Sequence, residues 1–223
     1  MTVELIDHMG SDLSVVNAAR VSFDKESCWE TIPFSGPTER VLQDKDIKLI
    51  KYLAKHNHWT PFGHGSAQFR IKAPIFVARQ LMKHQVGLVW NEVSRRYVDV
   101  EPEFYIPFMW RKRAKNIKQG SSSEEIEWDI TDFVKGAKEL YKEMIDENIA
   151  PELARMVLPQ NMMTEWYWSG TLYAFARVCT LRLEEHSQVE TQQIAREIHH
   201  HIKHAFPKSW KSLLTNVENV DIV

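Results

Sequence analysis

The densest run of side chains able to do chemistry lies between Arg79 and Tyr97. It comprises Arg79-Gln80, Lys83-His84-Gln85 and then Asn91-Glu92-Val93-Ser94-Arg95-Arg96-Tyr97. Arg79 and Lys83 are four apart, as are Gln80 and His84, so on a helix they form two polar rows beside the apolar stretches IFVA and LM. A phosphate needs several N–H donors converging from one side. The Ser94 hydroxyl, the backbone amides that follow it and the Arg96 guanidinium supply three kinds of donor within one turn. The chemistry on offer is anion binding. A plainer reading is a solvated loop whose arginines pair with Glu92, Glu101 and Glu103. Spacing alone does not choose between the two.

Two histidine clusters invite a metal reading. His56, His58 and His64 surround Thr60-Pro61-Phe62, but no cysteine or carboxylate stands beside them at a familiar ligand spacing. His199-His200-His201 with His204 contains an HxxxH pair without the glutamate of HExxH. It sits near the end of an amphipathic helix, where positive charge suits the dipole, and reads as a solvated helix face. No metal site is expected from either. Cys28 and Cys179 are far apart and outside any CxxC spacing, which argues against a disulfide framework or a zinc knuckle. The segment WYWSGTLYAF reads as packing rather than a stacking platform for bases.

These residues must be positioned by a chain of 223 residues, a length that suits one domain, here with a surface insertion at 24–43 where the text is irregular. Hydrophobic residues make up 43% and charged residues 26%, and a formal net charge of -2 gives no bulk field for polyanions, so nucleic acid is not an expected partner. The N-terminal text lacks the basic and then apolar run of a signal peptide, and no window reaches membrane-spanning length. A soluble cytoplasmic protein is expected.

Along the chain, residues 3–8 suit a strand, with Ser11 or Asp12 capping a helix through LSVVNAARVSF. Ile47, Leu49, Ile50, Leu53 and Ala54 share the face of an amphipathic helix over 44–57. SAQFRIK alternates as a strand, and Pro74 opens a helix IFVARQLMKHQ. QGSSSEE reads as a polar loop leading into a long helix over 125–148. PELARMVLP, TLYAFARVCTLRLEEH and VETQQIAREIHHHIKHAF read as further helices, so most of the second half is helical.

With these residues set out, a resemblance emerges. VELIDHMGSDLSVVNAARVSFD, KHNHWTPFGH, KAPIFVARQLMKHQVGLVWNEVSRRY followed by EFYIP, ELARMVLPQN and LRLEEHSQVETQQIA occur in the order found in the flavin-dependent thymidylate synthases, over nearly the whole chain. The family signature is RHR, seven residues, then Ser within NExSxRY; here it is KHQ, eight residues, then Ser94 within NEVSRRY. The resemblance implies an α/β (α+β) subunit with a central mixed sheet flanked by helices, the long helices in its C-terminal half. It also implies a homotetramer with shared active sites, FAD, NADPH as reductant and methylenetetrahydrofolate as one-carbon donor, acting on a pyrimidine deoxynucleoside monophosphate, dUMP foremost.

Carried over position by position, Gln80, Glu92, Val93, Ser94, Arg95, Arg96 and Arg155 hold the nucleotide's phosphate and ribose. Arg182 faces the base and, with Ser94, belongs to the catalytic set. His58, Thr60, Lys83, His84, Gln85, Glu92, Arg177 and His186 fall where the family contacts its flavin. Both arginines of the triplet are replaced, by Lys83 and Gln85, and Thr171, Tyr173 and Arg177 stand where the family presents an Asn and Arg pair and another Asn. A lysine is a point donor where arginine offers a planar fork, so contacts to the flavin must differ. The expected reaction is reductive methylation of dUMP to dTMP. Its rivals are a related modification, by hydroxymethylation or on a dCMP-like base, and a nucleotide-binding homologue without turnover. A metal-dependent hydrolase built on the histidines is more distant.

Overall fold

The protein is described by a computed structural model over residues 1–32, 39–115 and 120–214. In chain order the elements are β1 (Thr2–Met9), α1 (Asp12–Arg20), β2 (Glu30–Ile32), β3 (Glu39–Val41), α2 (Asp44–Lys55), β4 (Ser66–Pro74), α3 (Ile75–Leu81) and β5 (Leu88–Glu92). They continue with β6 (Trp110–Arg113), β7 (Ser121–Ile126), α4 (Thr131–Asp146), α5 (Pro151–Ala154), β8 (Met163–Thr171), α6 (Leu172–Arg182), α7 (Val189–Ala205) and α8 (Pro207–Leu213).

The central sheet has the order β1-β4-β8-β5. Along β4, Ala67, Phe69, Ile71 and Ala73 are buried while Gln68, Arg70 and Lys72 alternate outward, the two-residue period of a strand with one face on a core. Its neighbour β8 turns Trp166 and Trp168 inward, each 1% exposed. Trp90 of β5 stacks on Trp166 with ring centroids 4.3 Å apart, and Phe175 of α6 meets Phe69 and Trp168 edge-on at 5.2 and 5.3 Å. The expectation that WYWSG is packing material therefore holds. Helices α6 and α7 contribute Phe175, Val178, Ile194, Ile198 and Ile202 to the same core.

The α/β architecture with a central sheet and long C-terminal helices matches the expectation, but strand direction does not. All three pairings in the central sheet are antiparallel, so the sheet itself is not mixed. The connections explain why: each neighbouring pair meets head to tail, and no helix carries the chain across a sheet face between parallel partners. Two local expectations also change. Residues 121–126, read as a loop and helix start, form β7 and pair with β6, and the long helix begins only at Thr131. The helix opened by Pro74 ends at Leu81, before the KHQ triplet. Within 24–43, β2 and β3 pair with each other.

The histidine run is split: His200 and His204 are exposed, as expected, whereas His199 and His201 turn inward. His199 is 9% exposed and its Nδ1 accepts from Trp210 Nε1 at 3.0 Å, while His201 Nε2 lies 3.3 Å from the Val3 carbonyl. Helix α8 is fixed by Asp12, whose carboxylate accepts from the backbone amides of Lys208 and Ser209, both at 2.8 Å. No helix among the described residues is long and apolar enough to cross a membrane.

Candidate active site

The chain leaves α3 at Leu81 and turns through the triplet, with His84 N donating to Leu81 O at 3.0 Å and Leu88 N to Gln85 O at 3.2 Å. Gly87 makes the turn at φ +77°, a left-handed conformation that glycine adopts without strain. A side chain on Gly170 of β8 would come within 2.7 Å of the Gly87 carbonyl, so the turn sits directly against β8. Lys83 and Gln85 are exposed and His84 is partly buried.

That turn delivers His84 to the end of α6. Arg182 Nε donates to His84 Nε2 at 2.9 Å, joining residues 98 apart in sequence. Burial, and then the charges of Arg182 and Arg177, push the His84 imidazole down to about 4. It is neutral at physiological pH and free to accept. The bond uses Nε alone, so both terminal nitrogens of the Arg182 guanidinium can meet a ligand. The expected pairing of Gln80 and His84 as one helical row is corrected by this geometry, because His84 lies past the helix end.

Gln80, still on α3, reaches the start of α7 instead. Its amide donates to Gln188 Oε1, and its own Oε1 accepts from Thr191 Oγ1 at 3.4 Å. Behind Gln188, Glu190 is 3% exposed and takes a hydrogen bond and salt bridge from Arg111 of β6. Burial pushes the Glu190 carboxyl up, but the Arg111 hydrogen bond and charge, aided by Gln188, outweigh it and hold the group below the usual carboxylate value. Sequence reading passed over Glu190 and Arg111. A signal existed: Glu190 precedes Ile194, Ile198 and Ile202 at intervals of four, which places it on the buried face of α7.

Glu92 ends β5. Its Oε1 accepts from Thr164 Oγ1 at 2.7 Å and its Oε2 from Trp90 Nε1 at 3.2 Å. Val93 N donates to Glu165 O at 2.9 Å and prolongs the pairing with β8. The chain then turns, with Tyr97 N and Val98 N donating to Ser94 O at 3.0 and 3.2 Å. The Ser94 hydroxyl accepts from Arg96 N at 3.3 Å and Arg96 Nε at 3.4 Å, and the Arg96 guanidinium lies 5.1 Å from the Tyr97 ring centroid. Arg95 donates to the Val100 carbonyl. The plainer reading of this loop fails on partners: Glu101 pairs with Lys138 and Glu103 with Lys72, while Glu92 is held by Thr164 and Trp90. Hydroxyl, amides and guanidinium gather on one exposed turn, and among the described residues no carboxylate pairs with its arginines.

Other expected residues stand apart. Arg155 is exposed after α5, its Nε donating to Glu152 O at 3.2 Å. His186 is exposed, and its carbonyl closely approaches Gly120. His58, Trp59, Tyr173 and Arg177 line a cleft of about 1710 Å³ between α2, α6, α7 and α8, with exposed Thr60 just beyond Trp59. Trp59 and Tyr173 lie with ring centroids 6.2 Å apart. Burial pushes the Cys179 thiol well up, so it is inert as a nucleophile. Among the described residues, no group of three or more His, Cys, Asp or Glu is placed to hold a metal ion.

The neutral His84 imidazole that braces Arg182 lies before β5, and the donor-rich Ser94–Arg96 turn follows the other end of that strand, so an edge strand of the antiparallel sheet in an α/β fold separates two cationic groups. The chain belongs to the flavin-dependent thymidylate synthase family: the family model described as "Thymidylate synthase complementing protein" matches residues 4–208. Flavin-dependent thymidylate synthase from Thermus thermophilus is 36% identical over 212 residues, covering 93% of this chain and 73% of that protein. The enzyme of the same name from Thermosipho africanus is 36% identical over 219 residues, covering 95% and 90%. Among solved structures, the UMP/dUMP methylase PolB from Streptomyces cacaoi, bound with 5-Br dUMP, superposes with a TM-score of 0.79 at 29% identity, over 96% of this chain and 94% of that one. The same methylase bound with 5-Br UMP gives a TM-score of 0.76 at 28% identity.

Proposed function

We propose that the protein carries out the reductive methylation of dUMP to dTMP with FAD, NADPH and methylenetetrahydrofolate. The Arg182–His84 pair carries this reading. A guanidinium facing the pyrimidine favours loss of the N3 proton and lowers the cost of negative charge on the ring, which makes C5 a better carbon nucleophile without an enzyme adduct. Neutral His84 holds that guanidinium in place. The Ser94–Arg96 turn grips the phosphate, with Ser94 within the catalytic set. Gln80, Glu92, Val93 and Arg95 frame the ribose and phosphate.

Flavin fits the residues present. The cleft beside Arg177 combines an aromatic wall with a cationic rim and has room for a dinucleotide. His58, Thr60, Lys83, His84, Gln85, Glu92, Arg177 and His186 are its proposed contacts. When bound, FAD supplies the hydride that finishes the transferred carbon. Arg155, which has no hydrogen bond to the Ser94–Arg96 turn of its own chain among the described residues, completes the nucleotide pocket of a neighbour in a homotetramer with shared sites.

The test is incubation with dUMP and dCMP in turn, with methylenetetrahydrofolate, FAD and NADPH, and mass analysis of the product. Methylated dUMP is the expected result; a hydroxymethyl product, or product from dCMP alone, redirects the reading to a related modification. Failure of pyrimidine monophosphates to associate with the protein ends it. Arg96→Ala and Arg155→Ala are each expected to weaken dUMP binding by about 1–3 kcal/mol, the size of a charge-assisted contact, as read by calorimetry.

His84 makes a pH prediction. Its folded value of about 4 lies below the usual 6.5 of histidine, so as pH falls below 6.5 the unfolded chain takes up the proton first. The stability His84 contributes is complete above that pH and disappears towards pH 4. Arg182 loses its acceptor over the same window as the folded ring protonates. The His84 ring, followed by NMR, is expected to stay neutral through the mildly acidic range; titration near 6.5 refutes the assignment.

A further inference from the structure

We propose that lysines of α2 and α8 hold the diphosphate of the dinucleotide cofactor, replacing the arginines that the triplet lacks. This rests on the flavin reading above. Among the described residues, the cleft is lined by the permanent cations Lys51, Lys55, Arg177, Lys208 and Lys211, with Lys203 beside them, and by no aspartate or glutamate. The chain as a whole carries 28 Lys and Arg against 30 Asp and Glu, so the separation of charge is local to the cleft.

The lysines are also arranged in pairs. Lys51 and Lys55 are four apart on α2, and Lys208 and Lys211 three apart on α8, so each pair shares a helix face. Like charges at that spacing repel, and an anion seated between the two pairs relieves them. Asp12, which packs against α8, accepts from the backbone amides of Lys208 and Ser209, not from the Lys208 or Lys211 amines. The same cleft offers a planar surface: Trp59 is 56% exposed, unusual for so large an apolar ring, and lies against Tyr173. Its volume of about 1710 Å³ exceeds the roughly 300–1,000 Å³ of a site for one small molecule and suits a ligand with a ring at one end and phosphates beyond. The triplet turn, by contrast, offers one exposed cation, Lys83, with Gln85 neutral.

Titration of the full-length protein with FAD, FMN and riboflavin, followed by flavin fluorescence, separates ring from phosphate recognition. Wild type is expected to prefer FAD. In Lys208→Glu/Lys211→Glu and in Lys51→Glu/Lys55→Glu, FAD affinity is expected to fall at least about tenfold, riboflavin affinity to stay unchanged and dUMP affinity to be retained. The milder Lys208→Gln/Lys211→Gln serves if charge reversal impairs folding, and a reduced salt dependence of FAD binding is its second readout. Unchanged FAD affinity in these variants, or an equal loss for FAD and riboflavin, overturns the diphosphate assignment while the flavin reading stands. A wild-type protein that binds none of the three flavins overturns both.

Discussion

Replacing Arg182 with alanine is expected to lower kcat/KM for dUMP by about 10- to 100-fold, the loss of one charge-assisted contact of roughly 1.5–3 kcal/mol made at the reacting ring. Arg182 is partly buried at the end of α6 and its defined partner is a side chain, so its removal leaves the α6 backbone and the core intact. Thermal stability should therefore change little. The effect should fall mainly on kcat, because the guanidinium matters most when charge develops on the ring. Lysine should not restore it, since a point charge cannot bond His84 and the pyrimidine in one plane. The variant also carries its own control. Without the Arg182 charge the His84 imidazole should move upward from about 4, yet remain below 6.5 because burial is the larger cause of its shift. Wild-type kinetics in Arg182→Ala, with folding preserved, would remove this residue from the mechanism.

The second large effect is on stability. Arg111→Ala should destabilise the protein by about 3–5 kcal/mol at neutral pH, because it strands the Glu190 carboxylate, 3% exposed, without its cation. The sign of the pH dependence follows. In wild type the Glu190 carboxyl sits below its usual value, so its contribution is present above the unfolded carboxylate range and is lost as pH falls through the folded value. In Arg111→Ala, burial is left to act and raises that value. The deficit should then be greatest at neutral pH and shrink on acidification as the stranded carboxyl takes up a proton. Urea denaturation of both proteins at several pH values measures this. A loss within about 1 kcal/mol at neutral pH would show that the pair behaves as a surface bridge. Because Glu190 lies two residues from Gln188, the partner of Gln80, the variant is also expected to loosen the contact between α3 and α7.

Part of the frame around the site could be read from residue types. The alternation in SAQFRIK announced β4, whereas β8 lay hidden in an aromatic run read only as packing, and Ser94, Arg96 and the intervening amides announced a donor-rich segment. Partners could not be read. Glu101 and Glu103 looked like natural counter-charges for the arginines, and only tertiary placement hands them to Lys138 and Lys72. The helix through the triplet was cut short by pairing of β5 with β8, a long-range demand that outweighs local helix preference. Serine and glutamate favour turns and helices, yet residues 121–126 become a strand because Trp110–Arg113 offers a partner ladder. His199 looked solvated because its neighbours are polar; its place opposite Trp210 depends on how α8 folds back.

The two central strands stand about a hundred residues apart in the chain: Gln68 meets Ser169 across an interval of 101. During synthesis β4 must therefore wait for most of the polypeptide to emerge before its inner partner exists, with Phe69 and Ile71 uncovered meanwhile. A ribosome stalled before β8 would release a fragment with an open, apolar strand edge, prone to pair with other nascent chains. Yield of soluble enzyme in a foreign host should accordingly depend more on chaperone supply and growth temperature than on the stability of the finished fold.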